Sequence, residues 1–231
     1  RLTNKKGFST YDKFWDIKLS RKIIKDKGKL GLIYSANTIS HIPNLKETFK
    51  AISISLDKNG VFVFEDPYIG SVLKHNSYDQ FYDEHVHLFS FIAISNIVKK
   101  QNLKIIDVEI LKTHGGSIRF YVAKSDSKYK PTSSVKKIYK SEIKMGLNKL
   151  SAYKKFANRV KKSKQKLLEL LKKLKKDNKK VISYGATYKS ATIFNYCNIG
   201  PDLIEFVTDS TSNKQGKYTP GKHIPILPPV D

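Results

Sequence analysis

One cysteine, one methionine and one tryptophan occur in 231 residues, and 20 acidic side chains face 44 basic ones. The lone thiol, Cys197, excludes an intramolecular disulfide and any multi-thiolate metal centre, and it fits a reducing compartment such as the cytoplasm. Long hydrophobic runs are missing too. Nothing approaches the roughly 20 apolar residues that span a bilayer, so no membrane span is expected. No secretory signal is visible, and Arg1 in place of a methionine suggests a lost start. Arginine is scarce, occurring only at Arg1, Arg21, Arg119 and Arg159; the rest of the +24 net charge excess is lysine spread along the chain. Bidentate phosphate contacts and base readout favour arginine, whereas scattered lysine is a solvated surface, so no specific nucleic-acid partner is expected.

What is present points to folded protein. Hydrophobic residues at 39% and aromatics at 11% argue against wholesale disorder. Strands and helices alternate up to about Lys124. Leu30 to Ala36 reads as a buried strand, and Leu45, Phe49, Ile52 and Leu56 recur at helical spacing. Asn59-Gly60 reads as a turn, followed by a strand over Val61 to Phe64 that stops at Pro67. Ser90 caps a helix running to Lys100. Leu103 to Leu111 and Ile118 to Ala123 are two more strands, joined at His114-Gly115-Gly116. Such alternation predicts an α/β sheet. From Ser133 to Lys180 only Gly146 interrupts an amphipathic helical pattern, with Phe156, Val160, Leu167, Leu168, Leu171 and Leu174 on one face. Then Val181 to Ala186 reads as a strand, Ser190 to Tyr196 as a helix and Leu203 to Thr208 as a strand, the opening of a nucleotide fold.

The densest polar cluster is Tyr78 to His87, on a connection after a strand end, where ligands sit in open α/β sheets. An imidazole with an ordinary pKa near 6.5 suits proton removal at neutral pH, so His85 is a candidate general base. Glu84 or Asp83 can orient it or hold a substrate hydroxyl, and Tyr82 can stabilise an oxyanion. Two blander readings stand beside this one: imidazole ligation of zinc by His75, His85, His87 and His114, and a satisfied polar loop. His41 lies on another strand-end loop. Arg119 and the two glycines after His114 suit an anion. Tyr184 to Lys189 meets a helix N-terminus, a natural phosphate seat despite its single glycine.

Taken together, these blocks resemble the sugar C-methyltransferases, which use S-adenosylmethionine to methylate carbon 3 of nucleotide-linked keto-deoxysugars. The resemblance runs in order through Ala36-Asn37-Thr38 with His41-Ile42-Pro43, then Tyr82-Asp83-Glu84-His85 with Phe89-Ser90. It continues through His114 to Arg119, Tyr184-Gly185-Ala186 with Lys189, Asn195-Tyr196-Cys197, and Lys214 to Gly221 with His223 to Ile226. The sequence departs from the family pattern at Thr187-Tyr188, where smaller residues are expected, and at Ser190, where glycine is usual.

The resemblance implies a fold and a set of roles. The fold is α/β: the C-terminal half of a class I methyltransferase Rossmann-like domain, then the start of a second Rossmann-like domain. Residues 1–125 would belong to the first, 126–148 to a helical linker and 149–231 to the second. Both ends would be truncated, without the glycine-rich S-adenosylmethionine loop or the N-terminal zinc module, so no metal site is expected in this chain. His85 would be the base, with Tyr82 and Glu84 beside it and His41 across the pocket. Ala36 and Asn37 would touch the methyl donor, and Arg119, His114, Lys189 and Tyr184 the nucleotide sugar. A monomer is expected, with an exposed sheet edge and poor solubility. Methyl transfer to another acceptor, and a basic module binding nucleic acid or a membrane surface without catalysis, are the alternatives.

Overall fold

The computed structural model describes residues 2–229. In chain order the elements are α1 (Leu2–Lys5), α2 (Ile17–Lys27), β1 (Leu30–Ala36), α3 (Leu45–Ser55), β2 (Leu56–Pro67) and α4 (Ile69–His75). There follow α5 (Phe91–Lys99), β3 (Leu103–Leu111), β4 (Ser117–Lys124), α6 (Ser133–Met145) and α7 (Leu150–Lys176). Last come β5 (Ser183–Tyr184), α8 (Tyr188–Cys197), β6 (Val207–Thr208) and β7 (Ile226–Leu227). The chain divides into two units, Arg1–Ile69 with Val86–Met145, and Gly70–His85 with Gly146–Asp231. The expected α/β class is what the structure has.

The first unit is built on a four-stranded sheet in the order β1-β2-β4-β3. The β1–β2 pair is parallel, and β4 runs antiparallel to both β2 and β3. Along β2 apolar residues alternate, so Phe62 and Phe64 share one buried face. Phe64 stacks on Phe120 of β4 at 4.9 Å between ring centroids, and Phe49 of α3 meets Phe64 edge-on at 5.7 Å. Such pairs add about 0.5–1.5 kcal/mol to the burial of the rings themselves. β2 begins earlier than its sequence predicts. Gly60 lets the strand pass so close to the Leu30 carbonyl that a Cβ would collide with it, and the β1–β2 register breaks between Leu30 and Leu32 at that approach.

Caps set the helices of this unit. The Asp16 carboxylate accepts the Leu19 N–H at 2.6 Å, Asn44 accepts that of Glu47 at 3.1 Å, and Ser90 that of Ala93 at 3.1 Å. The α5 N-terminus has a second acceptor, Glu142 of α6. Its carboxylate, fully buried, takes the Phe91 N–H at 2.6 Å and the Ile92 N–H at 2.9 Å. A negative group among the orphan amides of a helix start is favourably placed. Val135 and Ile138 of α6 pack on the same apolar core. The helix expected inside a linker is therefore a packed part of the first unit.

The second unit has shorter strands and a longer helix. Strands β5, β6 and β7 form a parallel sheet of two-residue pairings, Ser183 with Val207 and Val207 with Ile226. The sequence predicts longer strands here, but only these residues complete the ladder. The predicted helical stretch is two helices, because Gly146 takes a left-handed conformation, φ 73°, between α6 and α7. Helix α7 buries Phe156, Val160 and Leu171 and leaves its lysines in water. Leu171 joins Phe194, Cys197, Ile199, Ile204, Val207 and Ile224 in the core. Among the described residues no helix is long and apolar enough to cross a membrane.

Candidate functional site

The residues expected to do chemistry fall into two groups, one in each unit. In the first unit, parallel β1 and β2 end side by side, and ligands of α/β sheets lie at such carboxyl edges. Asn37 turns the chain there at φ 49° and donates its N–H to the Glu65 carbonyl at 2.8 Å. A single 3₁₀ turn, Ile39–His41, follows. Its Ser40 N–H donates to the Asp66 carboxylate at 3.0 Å, and its Ser40 carbonyl accepts the His87 N–H at 3.0 Å. Ala36, Asn37 and His41 thus sit on one edge, where Glu65 holds the turn at Asn37 and Asp66 the 3₁₀ turn at Ser40. Burial pushes the Asp66 carboxyl up to about 6, against the Ser40 hydrogen bonds and the charge of His41.

Arg119 faces a different neighbourhood from the one expected. It lies opposite Glu65 in the β2–β4 ladder and donates through Nε and Nη2 to one Glu65 oxygen, at 2.8 and 2.6 Å. Nη1 reaches Glu109 at 3.3 Å. The guanidinium expected at a diphosphate is already paired with two carboxylates. His114 is exposed in a 3₁₀ turn at φ 53°.

The second unit holds the other group. The segment 70–85 packs with it, anchored by Tyr78, whose hydroxyl meets the Cys197 sulfur at 3.7 Å, and by Phe81, whose ring lies 6.0 Å from that of Phe156. The Thr192 hydroxyl donates to the Phe81 carbonyl at 3.2 Å. At the end of this segment His85 Nδ1 lies 3.0 Å from the Gln80 carbonyl oxygen, which can only accept. Nδ1 therefore carries the proton, and Nε2 is the basic nitrogen. The Tyr82 hydroxyl lies 2.8 Å from Nε2 and is its donor. Burial, then the charges of Glu84 and Asp79, raise the Tyr82 pKa, so the phenol keeps its proton. Tyr82 stacks on Tyr188 of α8, 5.7 Å apart and 12° from parallel. The neighbouring Glu84 carboxylate raises the Tyr188 pKa as well.

The turn from Tyr184 to Lys189 differs from a phosphate seat. The Ala186 N–H donates to Asp209 Oδ2 at 2.8 Å, and the Lys214 ammonium closes on the same oxygen at 3.2 Å. Amides at Thr211 and Ala186 hold the Asp209 carboxyl well below the usual range. The Thr187 N–H goes to the Ser190 hydroxyl and the Ser190 N–H returns to Thr187, a capping box at the start of α8. A carboxylate and a cap thus occupy the amides that an anion would use. Tyr184 is 80% exposed on β5, and Lys189 stands on the first turn of α8.

Sequence reasoning missed Asp66, Asp209 and Tyr188. A carboxylate just before Pro67, at the end of a strand, was a usable signal for the first. Tyr188 was visible only as a departure from a family pattern. Among the described residues no group of three or more His, Cys, Asp or Glu is arranged to hold a metal ion.

An α/β sheet of this kind serves many functions, and it is the sequence that names the class: residues 5–108 match the methyltransferase domain family. Residues 112–231 match the C-methyltransferase C-terminal domain family. The chain belongs to the S-adenosylmethionine-dependent C-methyltransferases, the family its motifs resemble. It is 29% identical over 228 residues to the C-methyltransferase NovU of Streptomyces niveus, covering 99% of this chain and 54% of that protein. The chain thus spans about half the length of that curated relative. Solved structures with some likeness include a S-adenosylmethionine-dependent methyltransferase from Clostridium acetobutylicum, 15% identical, covering 42% of this chain and 58% of that one, with a TM-score of 0.33. A SAM-dependent methyltransferase from Anabaena variabilis is 14% identical, covering 48% and 55%, with a TM-score of 0.35. Likenesses at this level carry no weight for function.

Proposed function

We propose that this chain is the part of a C-methyltransferase that methylates carbon 3 of a nucleotide-linked 4-keto-deoxysugar, with His85 as the base. The observation that carries the reading is the Tyr82–His85 pair, in which Nε2 is the basic nitrogen and a protonated phenol stands 2.8 Å away. A ketone at carbon 4 acidifies the carbon 3 proton. His85 Nε2 takes that proton, and the electron pair of the broken C–H bond moves toward the ketone oxygen. Tyr82, kept protonated by its surroundings, turns its O–H from Nε2 to the developing enolate oxygen when the sugar reaches the base. Glu84 holds a sugar hydroxyl. The side chains of Lys189 and Tyr184, rather than the occupied amides of their turn, are the groups assigned to the nucleotide diphosphate.

S-adenosylmethionine, when bound, would supply an electrophilic methyl group for carbon 3, the electron pair of the broken sulfur–methyl bond staying on its sulfur. The small side chain of Ala36 and the left-handed turn at Asn37, at the end of parallel β1, fit one wall of such a site. Incubating the full-length protein with a nucleoside-diphosphate 4-keto-deoxyhexose in deuterium oxide, without methyl donor, tests the reading. Deuterium enters carbon 3 if the enolate forms. Methyl transfer to oxygen needs no carbon acid, and retention of the carbon 3 proton overturns the proposal.

A further inference from the structure

We infer that Tyr188, the first residue of α8, is a positioning residue for the Tyr82–His85 pair, which it holds by stacking on the Tyr82 ring. The inference rests on the function proposed above and deepens it, because the catalytic pair is then completed by a residue of the nucleotide-fold helix. Three ring contacts within the second unit carry it. His85 is fixed on one side by the Gln80 carbonyl at 3.0 Å. Tyr82 lies against His85 at 4.0 Å between centroids and against Tyr188 at 5.7 Å, almost parallel. Tyr82 is otherwise held by its bond to the imidazole and by its own short loop. A phenol free to swing leaves Nε2 unaligned with the carbon acid, and small misplacements of this kind cost up to about 100-fold in rate.

The position of Tyr188 in the chain supports an ordered role. Thr187 and Ser190 lock the first turn of α8 in a capping box, which fixes the backbone on both sides of this ring. Yet the ring is 61% exposed, far more than a core residue. A tyrosine that buries little and stacks on a candidate catalytic ring contributes to alignment more than to stability.

The test uses the full-length protein with ¹⁵N-labelled histidine and the deuterium exchange described above. His85→Gln assigns the His85 signal and sets the floor for exchange. Wild-type His85 is expected as the single Nδ1–H tautomer. Tyr188→Leu is expected to keep that tautomer, which the Gln80 carbonyl sets, but to give tenfold or slower exchange at carbon 3, with KM little changed. Tyr188→Phe, which keeps the ring, is expected to restore the exchange. Thermal melts confirm that each variant folds. A Tyr188→Leu protein with wild-type exchange overturns the inference while leaving His85 in place. A Tyr188→Phe protein as impaired as Tyr188→Leu overturns the stacking role. Exchange that survives His85→Gln overturns the proposed function itself.

Discussion

The two units are held together differently. The first has strands of seven to twelve residues and a stack of phenylalanines from three elements. The second has two-residue strands and a core gathered mainly around α8 and the far end of α7. Its polar residues are tied by local devices, namely a capping box, a carboxylate taking two amides, and a loop pinned by aromatic rings. Stability by this comparison resides in the aromatic sheet, and the proposed chemistry in a loop that needs only short-range anchors. Loops set on a rigid scaffold are where catalytic groups are commonly found.

The sharpest way to break that comparison is to separate rate from stability. His85→Ala should lower turnover of the full-length enzyme by about 10²- to 10⁴-fold with little change in melting temperature, since a positioned general base supplies that much. A near-normal rate removes His85 from the role. Phe64→Ala should do the reverse to the protein, destabilising it by about 3–5 kcal/mol in a denaturant titration, because a fully buried ring is replaced by a cavity. A loss below 1 kcal/mol would show that the phenylalanine stack is not what holds the first unit.

Asp66 gives a pH-dependent version of the contrast. Its carboxyl is pushed up to about 6 in the fold, so between about pH 4 and 6 the folded chain holds a proton that the unfolded chain has lost. Stability from this group is present below pH 4 and lost as pH rises through 6. Asp66→Asn, which still accepts the Ser40 N–H, should therefore gain on the order of 1–3 kcal/mol over the parent at pH 7.5 and nothing at pH 4. Equal effects at both pH values in denaturant titrations would refute the buried-carboxyl account.

The smallest effect belongs to Arg119. Its ion pairs with Glu65 and Glu109 are partly exposed, so Arg119→Met should cost about 1 kcal/mol or less. Its KM for the nucleotide sugar should change less than threefold. A tenfold rise would put the guanidinium back at the diphosphate.

Much of the first unit could be read along the chain, because alternation in Val61 to Phe64 and caps at Asn44 and Ser90 are local signals. The early start of β2 could not, since it depends on Gly60 meeting Leu30 from another strand. The long amphipathic pattern from Ser133 was correctly helical, and the expected break at 148/149 lies close to Gly146, but that α6 packs into the first unit rather than forming a linker was invisible. Glu142 reads as one more charge until α5 is placed above it. The site divides in the same way. His85, Tyr82 and Glu84 are neighbours in sequence, so their grouping needed no fold.

Sequence by itself determined the α/β class, the family and the grouping of Tyr82, Glu84 and His85 on one short loop. Those properties follow from residue type, short spacing and periodicity. Tertiary structure alone decided which nitrogen of His85 is basic, that Arg119 is already paired, that Asp209 fills the amide seat near α8, and that Tyr188 meets Tyr82. Each of these joins residues brought together by backbone geometry, and protonation and pairing depend on what lies within a few ångströms rather than on what is adjacent in the chain.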